Sequence, residues 1–157
     1  MNKFLKLFLI ATFALLLQSC VSSRSSTTIA RDVNLLNYNH IIFGDDDGKG
    51  SVQLNDLMLM VENILTQRFK TVTPSEAQNL ILQGQSILSP KIDITTEKWD
   101  GGHTFITITF YDYSTNQRIA VVKSSGIGFS ISQDQKLALK GIKKEFSTHP
   151  LKHNTVN

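Results

Sequence analysis

Asp45, Asp47 and Asp56 are the side chains whose type and spacing come nearest to a recognisable chemistry. The run Gly44-Asp45-Asp46-Asp47-Gly48-Lys49-Gly50-Ser51 sets three consecutive carboxylates between glycines, and Asp56 follows a few residues on. Oxygen donors gathered round a sharp turn are what a hard cation such as calcium requires. Lys49 stands among them, and a protonated ammonium has no lone pair to offer. The plain alternative is an acidic loop leading into a helix, whose N-terminus favours negative charge. Cys20, the only cysteine, is the other reactive group. The remaining candidates combine poorly. His40 and His103 have no acid or nucleophile at a recognisable spacing, and His149 and His153 fall in a tail around Pro150. Gly126-Ile127-Gly128 lacks the rest of a dinucleotide fingerprint and no βαβ unit precedes it. No catalytic constellation is legible.

Cys20 gains meaning from what precedes it. Lys3 and Lys6 lead into an apolar run, Leu7 to Leu17, broken only by Thr12. Such a run suits the core of a signal peptide and is too short to span a bilayer as a helix. Leu17-Gln18-Ser19-Cys20 then resembles the lipobox of bacterial lipoproteins. The resemblance implies a diacylglycerol on the Cys20 thiol, cleavage before Cys20 and acylation of the new amine, so that residues 1–19 are a signal peptide. Val21, where an aspartate favours inner-membrane retention in enteric-type lipoproteins, implies the outer membrane, with the periplasmic face as the default. A lipidated Cys20 leaves neither a disulfide nor a thiol catalyst. Removing residues 1–19 takes away Lys3 and Lys6 and no acid, so the net charge falls from +3 to +1. That balance gives no argument for a nucleic-acid partner.

The acidic loop carries a second resemblance. Asp45, Asp47, Gly50, Val52 and Asp56-Leu57 match positions along an EF-hand-type calcium loop, and with the apolar Leu57 to Leu65 the stretch resembles half of a dockerin. In that match Asp45, Asp47 and Asp56 supply side-chain oxygens and Ser51 a backbone carbonyl. The departures are Lys49 at a ligand position, Asp where a longer Glu is usual, and the absence of a second copy.

The elements that must position these groups read as follows. Residues 20–33, Cys20 with a small, polar, aperiodic stretch, are expected to be a flexible tether. A single domain of 34–146 follows, with 147–157 as a tail. A chain beginning at Asp32 is therefore expected to keep every strand and helix. Tyr38 to Phe43 is a strand, and Leu54, Leu57, Met58, Val61, Ile64, Leu65 and Phe69 recur at helical spacing, with Leu59 and Met60 widening the stripe. Thr73-Pro74-Ser75-Glu76 is a capping box opening a second helix. Lys91 to Trp99 and Thr104 to Tyr111 alternate about an Asp100-Gly101-Gly102 turn. Arg118 to Lys123 is a third strand of that meander, extended through Gly126 to Phe129. Ser132 to Gln135 is expected to cap a last helix with Ala138, Leu139, Ile142 and Phe146 inward and Lys136, Lys140, Lys143 and Lys144 outward.

The fold class is therefore α/β: one sheet of about four strands, mainly an antiparallel meander, with three helices packed on it. The order resembles the small α/β domain of periplasmic lipoproteins such as the curli secretion lipoprotein and the lipoprotein activators of penicillin-binding proteins. The shared residues are His40 to Phe43 before the long helix, Tyr111-Asp112-Tyr113-Ser114-Thr115-Asn116-Gln117-Arg118-Ile119-Ala120, and Gly126-Ile127-Gly128. This resemblance implies a non-enzymatic, membrane-anchored lipoprotein of the Gram-negative envelope that binds an envelope protein, without a cofactor. The alternatives are a calcium-stabilised docking module and a tethered hydrolase with a dispersed site.

Overall fold

The computed structural model describes residues 21–44, 52–97 and 102–148. They form one mixed six-stranded sheet with three helices. In chain order these are β1 (Ser22–Ile29), a 3-10 turn (Leu35–Asn37), β2 (Tyr38–Ile41), α1 (Val52–Thr66), β3 (Lys70–Thr71), α2 (Pro74–Leu82), β4 (Ser86–Thr96), β5 (His103–Asp112), β6 (Arg118–Ile127) and α3 (Ile131–Thr148). The sheet order is β1-β6-β5-β4-β2-β3. The first three pairings are antiparallel, and β4-β2 and β2-β3 are parallel.

The meander forms for the reason its alternation gives. Ile92 and Ile94 pair with Ile108 and Ile106, while Ile108 and Phe110 pair with Val122 and Ala120 on the other side. These side chains share one face, which α1 covers with Leu57, Val61, Ile64 and Leu65 and α3 with Ala138, Ile142 and Phe146. Phe110 lies at the centre of an aromatic group, its ring centroid 6.2 Å from Phe69 and 6.1 Å from Phe146. A smaller core lies elsewhere: Ile42, Val72, Ala77 and Ile87, with Leu80 and Ile81 of α2. The Thr73 capping box forms as expected: the Thr73 N–H donates to Glu76 and the Glu76 N–H donates to Thr73 Oγ1.

Six strands replace the expected four because two were hidden. The stretch read as a flexible tether is β1, paired with β6 over all eight of its residues. Its inward periodicity is written in hydroxyls rather than apolar side chains. Ser23 donates to the Leu137 carbonyl, and Ser25 and Thr27 donate to Glu145, both acceptor residues on α3. Among the described residues the sheet thus already includes Ser22–Ile29, ahead of residue 34, and a chain from Asp32 lacks an edge strand. The other hidden strand, β3, is two residues long. β4 also starts earlier than the expected Lys91, at Ser86, and runs through Pro90. Proline is tolerated there because β2 pairs with β4 only as far as Leu88, leaving the Pro90 nitrogen on an open edge.

Smaller differences concern the helices. The first turn of α3 is capped from Ser130, whose hydroxyl accepts from the Gln133 N–H, rather than by a box at Ser132. Asp134, expected in that box, is instead fully buried, with neither oxygen hydrogen-bonded. α3 extends to Thr148, two residues past the expected end of the domain. Leu59 and Met60 of α1, expected to be covered, are exposed. No helix among the described residues is long and apolar enough to cross a membrane.

Candidate functional site

Two ends of the sheet matter. β1 starts, β6 finishes and β5 starts at one end, since Ser22 and His103 both pair with Ile127. At the opposite end Ile29 pairs with Ala120, and here the chain turns through Val33 and the 3-10 turn back across the core. Asn34 fixes that turn by accepting the Leu36 N–H on its side chain.

An apolar cavity of about 220 Å³ opens at this second end. Ile29, Val33, Leu35 and Leu36 form its outer wall, and Phe69, Phe110, Ala120 and Phe146 its floor. An apolar cavity of about 150 Å³ admits a benzene ring, so this one accepts a single aromatic or branched aliphatic group. Leu36 and Ile29 are 54% and 42% exposed, respectively, giving the cavity an apolar lip. Thr27 and the buried Glu145, joined by their hydrogen bond, supply its polar border.

The β5–β6 turn at the same end holds the most heavily bonded carboxylate among the described residues. Asp112 Oδ1 accepts from the backbone and hydroxyl of both Ser114 and Thr115, at 2.6–3.0 Å, and Oδ2 accepts from the Tyr38 hydroxyl at 3.0 Å. Burial alone would raise the Asp112 pKa; the bonds from Ser114, Thr115 and Tyr38 outweigh it and hold the carboxyl below the usual range. The Tyr38 phenol is pushed up to about 12, first by burial and then by the adjoining carboxylate. Asp112 is thus a structural latch tying β2 to the β5–β6 turn. Because its folded pKa is depressed, its contribution is present above the unfolded value near 4 and is lost as pH falls through the folded one. Asp112→Ala is expected to lower stability by about 2–4 kcal/mol at neutral pH. Its melting temperature should also fall less steeply than the wild type's between pH 5 and 3. Thermal melts across that range check both.

Two half-constellations invite chemistry and stand apart. Ser25 and Thr27 meet Glu145 on the helix-covered face. His103 Nδ1 lies 3.6 Å from Glu97, and its ring packs edge-on against the exposed Phe105. Among the described residues no nucleophile is bonded to the second. Among the described residues no three His, Cys, Asp or Glu side chains converge as a metal site would need.

The residues singled out from sequence are distributed otherwise. Asp56 is exposed on the first turns of α1, while Asp45, Asp47 and Ser51 lie outside the described residues, as does Cys20. His40 is on β2, and burial, then the charge of Lys70, lowers its pKa. The cavity was not legible in sequence, because its outer wall lies in or beside the stretch read as tether. The signal that marks it is Thr27-Thr28-Ile29 followed by Leu35-Leu36, β-branched and apolar residues within a segment otherwise dominated by small polar ones.

The chain path is similar to that of the PelC dodecamer from Paraburkholderia phytofirmans, at 11% identity and a TM-score of 0.47, over 78% of this chain and 94% of that one. A second crystal form of that dodecamer, with one substitution, is 15% identical with a TM-score of 0.49, over 83% and 98%. These similarities assign no residue or ligand to this chain. No family model matches the sequence, and no curated protein matches it.

Proposed function

We propose that this chain is a non-enzymatic, lipid-anchored protein of the bacterial outer membrane, facing the periplasm, which binds an apolar side chain of a partner protein in its 220 Å³ cavity. The observation that carries the reading is positional. Cys20, at the end of a lipobox-like sequence, lies two residues before an edge strand, and that strand delivers the cavity wall at its far end. Eight residues of strand span about 25 Å, so the anchor and the cavity occupy opposite ends of the domain. A binding pocket held away from the membrane suits a partner in the envelope rather than a lipid.

The pocket suits one anchoring side chain. Burying a leucine or phenylalanine there contributes about 1.5–3 kcal/mol, a contact typical of the centre of a small interface. Leu36→Asp places a charge on the lip without touching the core. It is expected to leave the melting temperature within a few degrees of the wild type and to weaken partner capture by roughly tenfold or more. Cross-linking in intact cells, followed by recovery of the anchored protein, reads this directly. Equal capture by wild type and Leu36→Asp would place the binding surface elsewhere.

A further inference from the structure

We infer that the end of the domain where β1 starts and β6 finishes lies on the lipid bilayer surface, with the Phe129 ring seated among headgroups and upper acyl chains. The inference rests on the lipidation of Cys20 proposed above. Cys20 stands two residues before Ser22 and Phe129 two residues after Ile127, and Ser22 and Ile127 are paired. At no more than about 3.6 Å per residue and roughly 5 Å between strands, connectivity alone keeps the two within about 20 Å. Acyl chains on Cys20 therefore keep Phe129 within reach of the membrane.

Phe129 is 62% exposed, yet it is not on a loose segment. Its N–H donates to Gln133 Oε1 at 2.9 Å. Gly128 fits so closely against the Gln133 side chain that a Cβ would meet it at 2.8 Å. Ser130, the next residue, caps α3. A tightly built corner thus holds an aromatic ring towards solvent, where burying its apolar face in a bilayer would be favourable. The cover is a bilayer rather than a protein groove because the anchor is here. The flanking charges agree: Arg24 near the start of β1 and Lys136 in the second turn of α3 are both exposed, as cations that meet lipid phosphates must be. The strands then rise from the membrane and present the cavity lip about 25 Å above it.

The test uses the mature lipidated protein in vesicles of phosphatidylethanolamine and phosphatidylglycerol with brominated acyl chains. Phe129→Trp is compared with Leu82→Trp, an 86% exposed apolar position at the end of α2, near where β4 starts, and with the wild type, whose Trp99 emission is subtracted. Intact mass first establishes that each protein carries its acyl chains. The expected result is a blue-shifted emission quenched by bromine for Phe129→Trp, and an unshifted, unquenched emission for Leu82→Trp. Acylated protein in which neither position is quenched, or both are equally, overturns the membrane-facing assignment while leaving the anchor in place. A mass without acyl chains overturns both.

Discussion

Gly126→Ala is expected to lower the stability of the domain by about 3 kcal/mol, with a fall in melting temperature of roughly 10–15 °C. Gly126 lies on β6 where α3 crosses it. A Cβ there would stand 2.1 Å from the Asp134 carbonyl oxygen, 2.7 Å from the Ala138 nitrogen and 2.8 Å from the Leu137 Cβ. Two of these are helix backbone atoms, which move only with the whole helix. The same close approach recurs one helix stretch along, where a Cβ on Gly141 would meet Ser124 Oγ, the hydroxyl that donates to the Ala138 carbonyl. Gly44→Ala is the matched control, since nothing among the described residues lies within 4 Å of its added methyl, and it should leave the melt unchanged. Equal melts for Gly126→Ala and wild type would show that α3 sits farther from the sheet than described.

Deleting β1 is expected to be as damaging. A chain beginning at Asp32 loses the β1–β6 pairing, the hydroxyl bonds from Ser25 and Thr27 to Glu145, and the Ile29 wall of the cavity. The two hydroxyl bonds to the buried Glu145 alone contribute about 1.5–3 kcal/mol each. Against a total stability of about 5–15 kcal/mol that is a large fraction. A chain beginning at Val21 should melt cooperatively, whereas one beginning at Asp32 should melt far lower or be unfolded at room temperature. Matching melts would return residues 21–31 to the role of a tether. Isotope exchange gives the same answer without truncation: the amides of β1 that bond to β6 should be protected in the intact chain.

How far the sequence discloses the fold follows from where each segment's partners lie. β5 is legible residue by residue, because Thr104 to Asp112 alternates buried positions with half-covered or exposed ones and both neighbours come within a short turn. The Thr73 capping box is legible because all its partners lie within three residues. β1 is not, because what orders it is far along the chain: Ser25 and Glu145 are 120 positions apart. A row of serines has the composition of a linker until an acid on a distant helix meets it. The parallel β2–β4 pairing is hidden for the same reason, as it forms only after α1, β3 and α2 have crossed between them. The cavity inherits this illegibility, since its wall is built from those poorly signalled segments. Cys20 and the acidic loop were the reverse case, conspicuous in sequence by local pattern alone.

Lipidation of Cys20 is what ties the domain to the membrane. Two or three acyl chains, at about 0.8 kcal/mol per buried methylene, make an anchor that a domain does not leave on its own. The intact mass of the mature protein, extracted from membranes, measures it in one step. The expected mass is that of a chain lacking residues 1–19 and carrying a diacylglyceryl thioether on Cys20, with Cys20→Ser unacylated and released from the membrane. A mass that retains residues 1–19, or a free thiol at Cys20, would contradict it.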